Sequence, residues 1–153
     1  MSIVGAFIGK KLLSCGPQTT VLEAAGKMQA LDVGSILVVD DQDKILGIFT
    51  ERDLTRRVVN ARKDPAKTKI SEVMSTPVTA VDIYSNITEV VKTLSKSKFR
   101  HLPIVDGQKA VGVLTLHSIN LMNQFTKELL EREGSSTIHM LFKSSFKELG
   151  KKE

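Results

Sequence analysis

The sequence contains the same pattern twice, at a distance of 66 positions. When the chain is shifted by that distance, apolar positions of the first half fall on apolar positions of the second. The matching polar and small residues are Asp40 with Asp106 and, after a one-residue deletion in a turn, Gly47 with Gly112 and Thr50 with Thr115. A tandem repeat of this length predicts two copies of one supersecondary unit, each covering the apolar face of the other. Any deep cleft should then occur in two related copies between the units.

Each half predicts the same order of elements, β-α-β-β-α. In the first half a capping box at 20–23 (TVLE) opens a helix with apolar residues at helical spacing, which ends by Gly34. The other predicted elements are a short strand near residue 12, strands at 36–39 and 45–49, and a helix from 50 to about 60. In the second half they are strands at 78–81, 102–105 and 110–114, a helix capped at 86, and a longer helix over 116–133.

The polar stretch 61–68, which contains Pro65, reads as an exposed linker between the halves. We therefore divide the chain into a first unit at 4–65, a second unit at 70–133 and a tail at 134–153. Apolar residues in the tail keep helical spacing beside lysines, which predicts an amphipathic helix that packs on its own domain or on a partner.

Composition narrows the class of protein. With one Tyr, six Phe and no Trp, the chain offers few rings for stacking on single-stranded nucleic acid. Its net charge of +5 favours anionic partners without choosing among them. A single cysteine, Cys15, excludes an internal disulfide and a Cys-based metal site. No apolar stretch approaches the roughly 20 residues that span a bilayer, so we expect a cytoplasmic protein without membrane contacts.

Several segments resemble the CBS motif, the regulatory module first defined in cystathionine β-synthase. They are 34–40 (GSILVVD) and 45–54 (ILGIFTERDL) in the first half, and 71–74 (SEVM), 99–106 (FRHLPIVD) and 111–115 (VGVLT) in the second. The motifs agree in order and register, and their doubling is similar to a tandem CBS pair.

The resemblance implies an α/β (α+β) fold of two β-α-β-β-α CBS units related by a pseudo-two-fold axis, followed by a C-terminal helical tail. It also implies clefts between the units that bind AMP, ADP, ATP or an S-adenosylmethionine-like molecule as a regulatory ligand. There would be no other cofactor. Such modules act as sensors and often form flat homodimers, so the output of this chain would go to a protein partner in trans or to its own oligomeric state.

Thr50 and Asp53 match the Thr/Ser-x-x-Asp signature of the family, in which the hydroxyl and the carboxylate hold the ribose hydroxyls. A vicinal diol offers two donors, and a carboxylate can accept both. The same spacing is also an ordinary helix cap. Thr115 and Ser118 hold the equivalent places in the second half. Because Ser118 replaces the aspartate, we expect the cleft with Asp53 to bind a nucleotide better.

The remaining candidate ligand residues surround these two pairs. The resemblance places Arg100 and His101 against phosphate, and Arg52 and Arg56, near a helix start, suit anion binding. It also implies adenine contacts through the segments that lead into the first strand of each unit, and apolar walls. The residues concerned are Ser14 and Thr79 for the segments and Ile36 and Pro103 for the walls.

Two other classes of function stay open from the sequence. Its basic charge and basic linker are compatible with a nucleic-acid-binding protein, which the lack of aromatics disfavours. A scaffolding dimer whose clefts bind no ligand, with the tail as its contact, is the second alternative. The sequence contains no Gly-x-Ser-x-Gly, phosphate-binding loop or His-Glu-x-x-His motif, so we expect neither an enzyme nor a metal site.

Overall fold

The structure is a computed structural model that describes residues 8, 12–86, 89, 90, 93, 100–115, 117, 118, 120, 121 and 124. The predicted tail at 134–153 lies outside the described residues, and so do large parts of the two predicted helices of the second half. Among the described helices, none has the length and apolar character needed to cross a bilayer.

The described elements follow the predicted order in both halves. In the first half they are β1 (Ser14–Cys15), α1 (Val21–Leu31), β2 (Ser35–Val39), β3 (Ile45–Thr50) and α2 (Glu51–Asp53), which continues as a π-helix over Leu54–Val59. A 3₁₀ turn (Ile70–Glu72) leads into the second half, which contains β4 (Val81–Asp82), β5 (His101–Asp106) and β6 (Lys109–Thr115). The fold is therefore the mixed α and β architecture that the repeat predicts.

The two halves form separate three-stranded sheets of identical topology. In each sheet the first strand pairs in parallel with the second, and the second pairs antiparallel with the third. The register shifts between Val38 and Val39 in one sheet and between Ile104 and Val105 in the other. These positions are equivalent in the repeat, so even the irregularity of the ladder is duplicated.

A capping box fixes the start of helix α1, and a residue in the left-handed conformation fixes its end. Thr20 and Glu23 form the predicted capping box: Glu23 N–H donates to Thr20 Oγ1 at 3.2 Å, and Thr20 N–H donates to Glu23 Oε2 at 2.9 Å. The hydrogen bonds from Thr20 lower the pKa of Glu23. The helix ends at Leu31, ahead of the predicted Gly34, because Asp32 adopts the left-handed conformation with φ 52°.

The first strand of the second half differs from its prediction. The apolar pattern predicts a strand at 78–81, whereas β4 is Val81–Asp82. The strand is shorter because β4 pairs with β5 only from Val81 onward, where Val81 lies opposite Ile104. Val78 is apolar for another reason, since it packs against the cluster between the two sheets.

Apolar side chains form a core in each half and a third cluster between the halves. The first core includes Ile70 and Val73, which follow the linker, together with the fully buried Phe49. The third cluster joins Leu37 and Ile48 of the first sheet to Ala110 of the second. The two sheets are thus in direct contact, and their facing surfaces are apolar.

Ile8 of the first unit and Met74 of the second each pack on a strand of the opposite unit. A Cβ atom added to Gly47 in β3 would lie 2.8 Å from Cγ of Met74, and one added to Gly112 in β6 would lie 3.0 Å from Cβ of Ile8. Ile8 and Met74 are equivalent in the repeat. An apolar residue thus covers each glycine closely, and each glycine also lies beside the register shift of its own sheet, so close approach and a strand irregularity occur together.

Candidate functional site

Asp53 lies where β3 passes into α2, and its side chain is only 12% exposed. Its Oδ2 atom accepts hydrogen bonds from the N–H and the hydroxyl of Thr50, at 3.0 and 2.8 Å. In return, Asp53 N–H donates to Thr50 Oγ1 at 3.3 Å. Thr50 and Asp53 thus form a reciprocal capping box, which fixes the orientation of the carboxylate at the start of the helix.

The second carboxylate oxygen of Asp53 faces the segment that leads into the second half. Ser75 Oγ donates to Oδ1 at 3.2 Å, and Nε of Arg57 lies 3.5 Å from the same oxygen. The Nη1 atom of Arg57 also donates to the main-chain carbonyls of Val73 and Met74, at 3.1 and 2.6 Å. Asp53 is therefore a shared contact of both halves.

His101, the first residue of β5, also reaches the first half. Its Nε2 atom lies 3.3 Å from the position that a Cβ on Gly34 would occupy, and Oε2 of Glu51 lies 3.4 Å from the same point. Burial lowers the pKa of His101, the nearby Glu51 and Asp53 oppose that shift, and Arg100 adds to it. The imidazole is thus placed beside the acidic end of α2, with burial favouring its neutral form.

The equivalent pair in the second half has the same geometry without the charge. Ser118 N–H donates to Thr115 Oγ1 at 3.2 Å, and the two hydroxyl oxygens are also 3.2 Å apart. The N–H of Thr115 donates to Ser118 Oγ at 3.4 Å, which is longer than the corresponding bond to Asp53. This site can hold a hydroxyl, but it has no carboxylate to accept a diol.

A depression of about 330 Å³ lies beside the start of α2, and residues of the first half line it without Asp53. Its wall comes from one face of α1, the turn after that helix and the start of α2. The residues that line it are Ala25, Met28, Gln29, Asp32, Val33, Gly34, Glu51 and Leu54. A volume of this size is at the lower end of the range for small-molecule sites.

The structure brings some of the predicted site residues together and leaves others apart. Thr50 and Asp53 are joined by hydrogen bonds and His101 lies beside Gly34 and Glu51, whereas the arginines at 52, 56 and 100 are exposed. Ser14 and Thr79 are exposed as well. Ile36 is buried in the core of the first half, and Pro103 is buried within β5, where it pairs with Val113.

Three residues near Asp53 are absent from the sequence-based list. Arg57 follows Asp53 by four positions, a spacing at which opposite charges meet on a helix, so it could have been found. Glu51 also carried a signal, because it lies inside the Thr-x-x-Asp motif. Ser75 is 22 positions away from Asp53, and only the folded chain brings the two together. Among the described residues, no group of three His, Cys, Asp or Glu side chains could hold a metal ion.

The duplicated sheets define a tandem module of two related units, and comparison with known proteins identifies its family. The sequence profile of the CBS domain matches residues 4–60 and 70–120, so the chain belongs to the CBS domain family. It is 34% identical over 123 residues to the protein YlbB of Bacillus subtilis, with 80% of each chain covered. It is 31% identical over 128 residues to the CBS domain-containing protein YhcV of the same organism, covering 84% of this chain and 89% of that one.

A solved structure supports the fold. A putative signal-transduction protein with CBS domains from Burkholderia ambifaria superposes with a TM-score of 0.70 at 25% identity. The superposition covers 87% of this chain and 96% of that one.

Proposed function

We propose that this tandem CBS module binds an adenosine-containing molecule at Asp53 and acts as a sensor that regulates a partner. The observation that carries the proposal is the carboxylate of Asp53, oriented by Thr50 at the end of β3 and bordered by residues of both halves. A carboxylate fixed in this way is suited to accept the two hydroxyls of a ribose. His101, beside Glu51 and Gly34, is a second polar group near the start of α2.

The two related sites should differ in strength. Asp53 offers a carboxylate, and hydrogen bonds to such a group are about twice as strong as those between neutral groups. Ser118 offers one hydroxyl, which already contacts Thr115. We therefore place the stronger site at Asp53 and a weaker one at Thr115 and Ser118.

Ligand binding would be transmitted through the contact between the halves. A ligand changes a conformational equilibrium only if it binds one arrangement better than another. Because Asp53 touches the segment that leads into the second half, a ligand there can favour one relative orientation. The signal-transduction designation of the Burkholderia ambifaria protein supports a sensory role. A homodimer, a protein partner regulated in trans and a cytoplasmic location belong to the same proposal.

The test is a thermal-unfolding panel with AMP, ADP, ATP and S-adenosylmethionine. A ligand present at a hundredfold its Kd should stabilise the folded chain by about 2.7 kcal/mol. Asp53→Ala should weaken binding more than Ser118→Ala, because only Asp53 has a carboxylate. Circular dichroism establishes that each variant is folded before its affinity is measured. The absence of a shift with all four compounds would refute adenosine binding, and the reverse order of the two variants would refute the ranking of the sites.

A further inference from the structure

The carboxylate of Asp53 is already nearly saturated with hydrogen bonds. A carboxylate offers about four acceptor positions, two on each oxygen. Thr50 uses both positions on Oδ2, with donors at 3.0 and 2.8 Å. Ser75 Oγ uses one position on Oδ1 at 3.2 Å, and Nε of Arg57 faces that oxygen at 3.5 Å. A ribose diol needs two positions, so at least one of these donors must withdraw when the diol binds.

Ser75 is the donor whose withdrawal costs least. Its bond to Asp53 is longer than both bonds from Thr50. The Thr50 bonds also cap α2, and losing them would cost helix stability. Arg57 is held in place by two main-chain carbonyls. The hydroxyl of Ser75, which is half-buried, can rotate away from Asp53 toward water.

Ser75 also belongs to the junction segment, which we define as residues 73–76, at the start of the second half. Its main chain forms two hydrogen bonds with Ile48 of β3, at 2.8 and 3.0 Å. Thr76 Oγ1 donates to the carbonyl of Leu46 at 3.0 Å, and Arg57 binds the carbonyls of Val73 and Met74. The bond between Ser75 and Asp53 therefore connects the candidate ligand-binding group to the junction of the halves.

We propose that Ser75 is a positioning residue for Asp53 that competes with the ligand. Its hydroxyl holds Oδ1 in the free protein and gives up that oxygen to a ligand hydroxyl, which loosens the junction segment. The inference rests on the proposed function, because it requires a diol at Asp53. It adds a specific route by which occupation of the site reaches the second half.

The test compares affinities by calorimetry in the full chain. The probe is whichever of AMP, ATP and S-adenosylmethionine the wild-type chain binds most tightly. Ser75→Ala should bind that probe about 2- to 10-fold more tightly, since the ligand no longer displaces a hydrogen bond. Ser75→Thr, which retains a hydroxyl, should return the affinity to the wild-type value. Thr68→Val is the matched control, because it removes a hydroxyl bond to the carbonyl of Asp64, outside the junction segment and away from Asp53, and it should leave the affinity unchanged.

A second measurement does not depend on any variant. Hydrogen exchange of the wild-type amides in the junction segment should become faster when the probe binds, because the segment loses a side-chain anchor. Unchanged or slower exchange would contradict the release of Ser75. For a nucleotide probe, the 2′,3′-dideoxy form lacks the diol, so it should show no gain in affinity with Ser75→Ala.

The outcomes separate this inference from the proposed function. If the wild-type chain binds a probe but Ser75→Ala binds it equally or more weakly, the competition is wrong and adenosine binding stands. If the wild-type chain binds neither these three probes nor ADP, the proposed function fails and this inference fails with it.

Discussion

Asp53 can cap a helix and be a candidate ligand-binding residue at the same time. Its bonds with Thr50 satisfy the first turn of α2 and at the same time fix the direction of the carboxylate. A group that is already oriented loses less conformational entropy when a ligand arrives. The helix cap therefore prepares the carboxylate for binding, and the two interpretations of the Thr-x-x-Asp motif describe the same geometry.

At the residue scale, the lowered pKa of His101 should make the stability of the fold depend on pH. Burial lowers the pKa of His101 below its ordinary value of 6.5, so the unfolded chain takes up the proton more readily than the folded chain. The free energy of unfolding should be fully developed above about pH 6.5 and should fall as the pH decreases below it. His101→Gln, which does not titrate, should reduce the slope between pH 7.5 and 5.5. Denaturant titrations across this range measure it, and equal slopes in both proteins would contradict the prediction.

The residues of the site differ in how far the sequence can predict them. Thr50 and Asp53 are predictable because their spacing is local and defines a helix start. The approach of His101 to Gly34 and Glu51 depends on how the second sheet is placed against the first, which no local pattern encodes. Short motifs therefore predict the groups that a helix end supplies by itself. They also name candidates in the opposite half, such as His101, but they do not predict which residues of the first half these candidates meet.

At the scale of single elements, two glycines in the first half predict opposite effects of alanine. Gly26 is exposed within α1, and a Cβ there would meet nothing within 4 Å. Gly26→Ala should stabilise the fold by about 0.5–1 kcal/mol, since alanine favours the helix. Gly47→Ala would force a methyl group against Met74 and should destabilise the fold by about 1–3 kcal/mol. Thermal unfolding of both variants measures the difference, and the same sign for both would contradict it.

The strands illustrate why the boundaries of elements are predicted less well than their existence. The segment 78–81 is predicted to be a strand, but only its last residue lies in β4. An apolar pattern predicts that a side chain packs against other residues, but it does not predict which residues these are. For Val78 the cover is the cluster between the sheets, and for Val81 it is the core of the second half.

At the scale of the whole molecule, the cluster between the sheets predicts that the two halves unfold together. Leu37 is fully buried in that cluster, beside Ile48 and Ala110. Leu37→Ala should lower the free energy of unfolding by about 2–5 kcal/mol while the transition stays single. Leu22, which is 55% exposed on α1, gives the matched control, and Leu22→Ala should change stability by less than about 0.5 kcal/mol. Two separate transitions in Leu37→Ala would show that the halves are independent.

Because Ile8 and Met74 each pack on the opposite half, each half completes the packing of the other. Gly47 of the first half is covered by Met74 of the second, and Gly112 of the second half is covered by Ile8 of the first. If the chain were cut within the exposed stretch 61–67, each of the two fragments would contain a last strand whose glycine is no longer covered. We expect the two fragments to associate when they are mixed, because each contains the apolar residue that covers the glycine of the other.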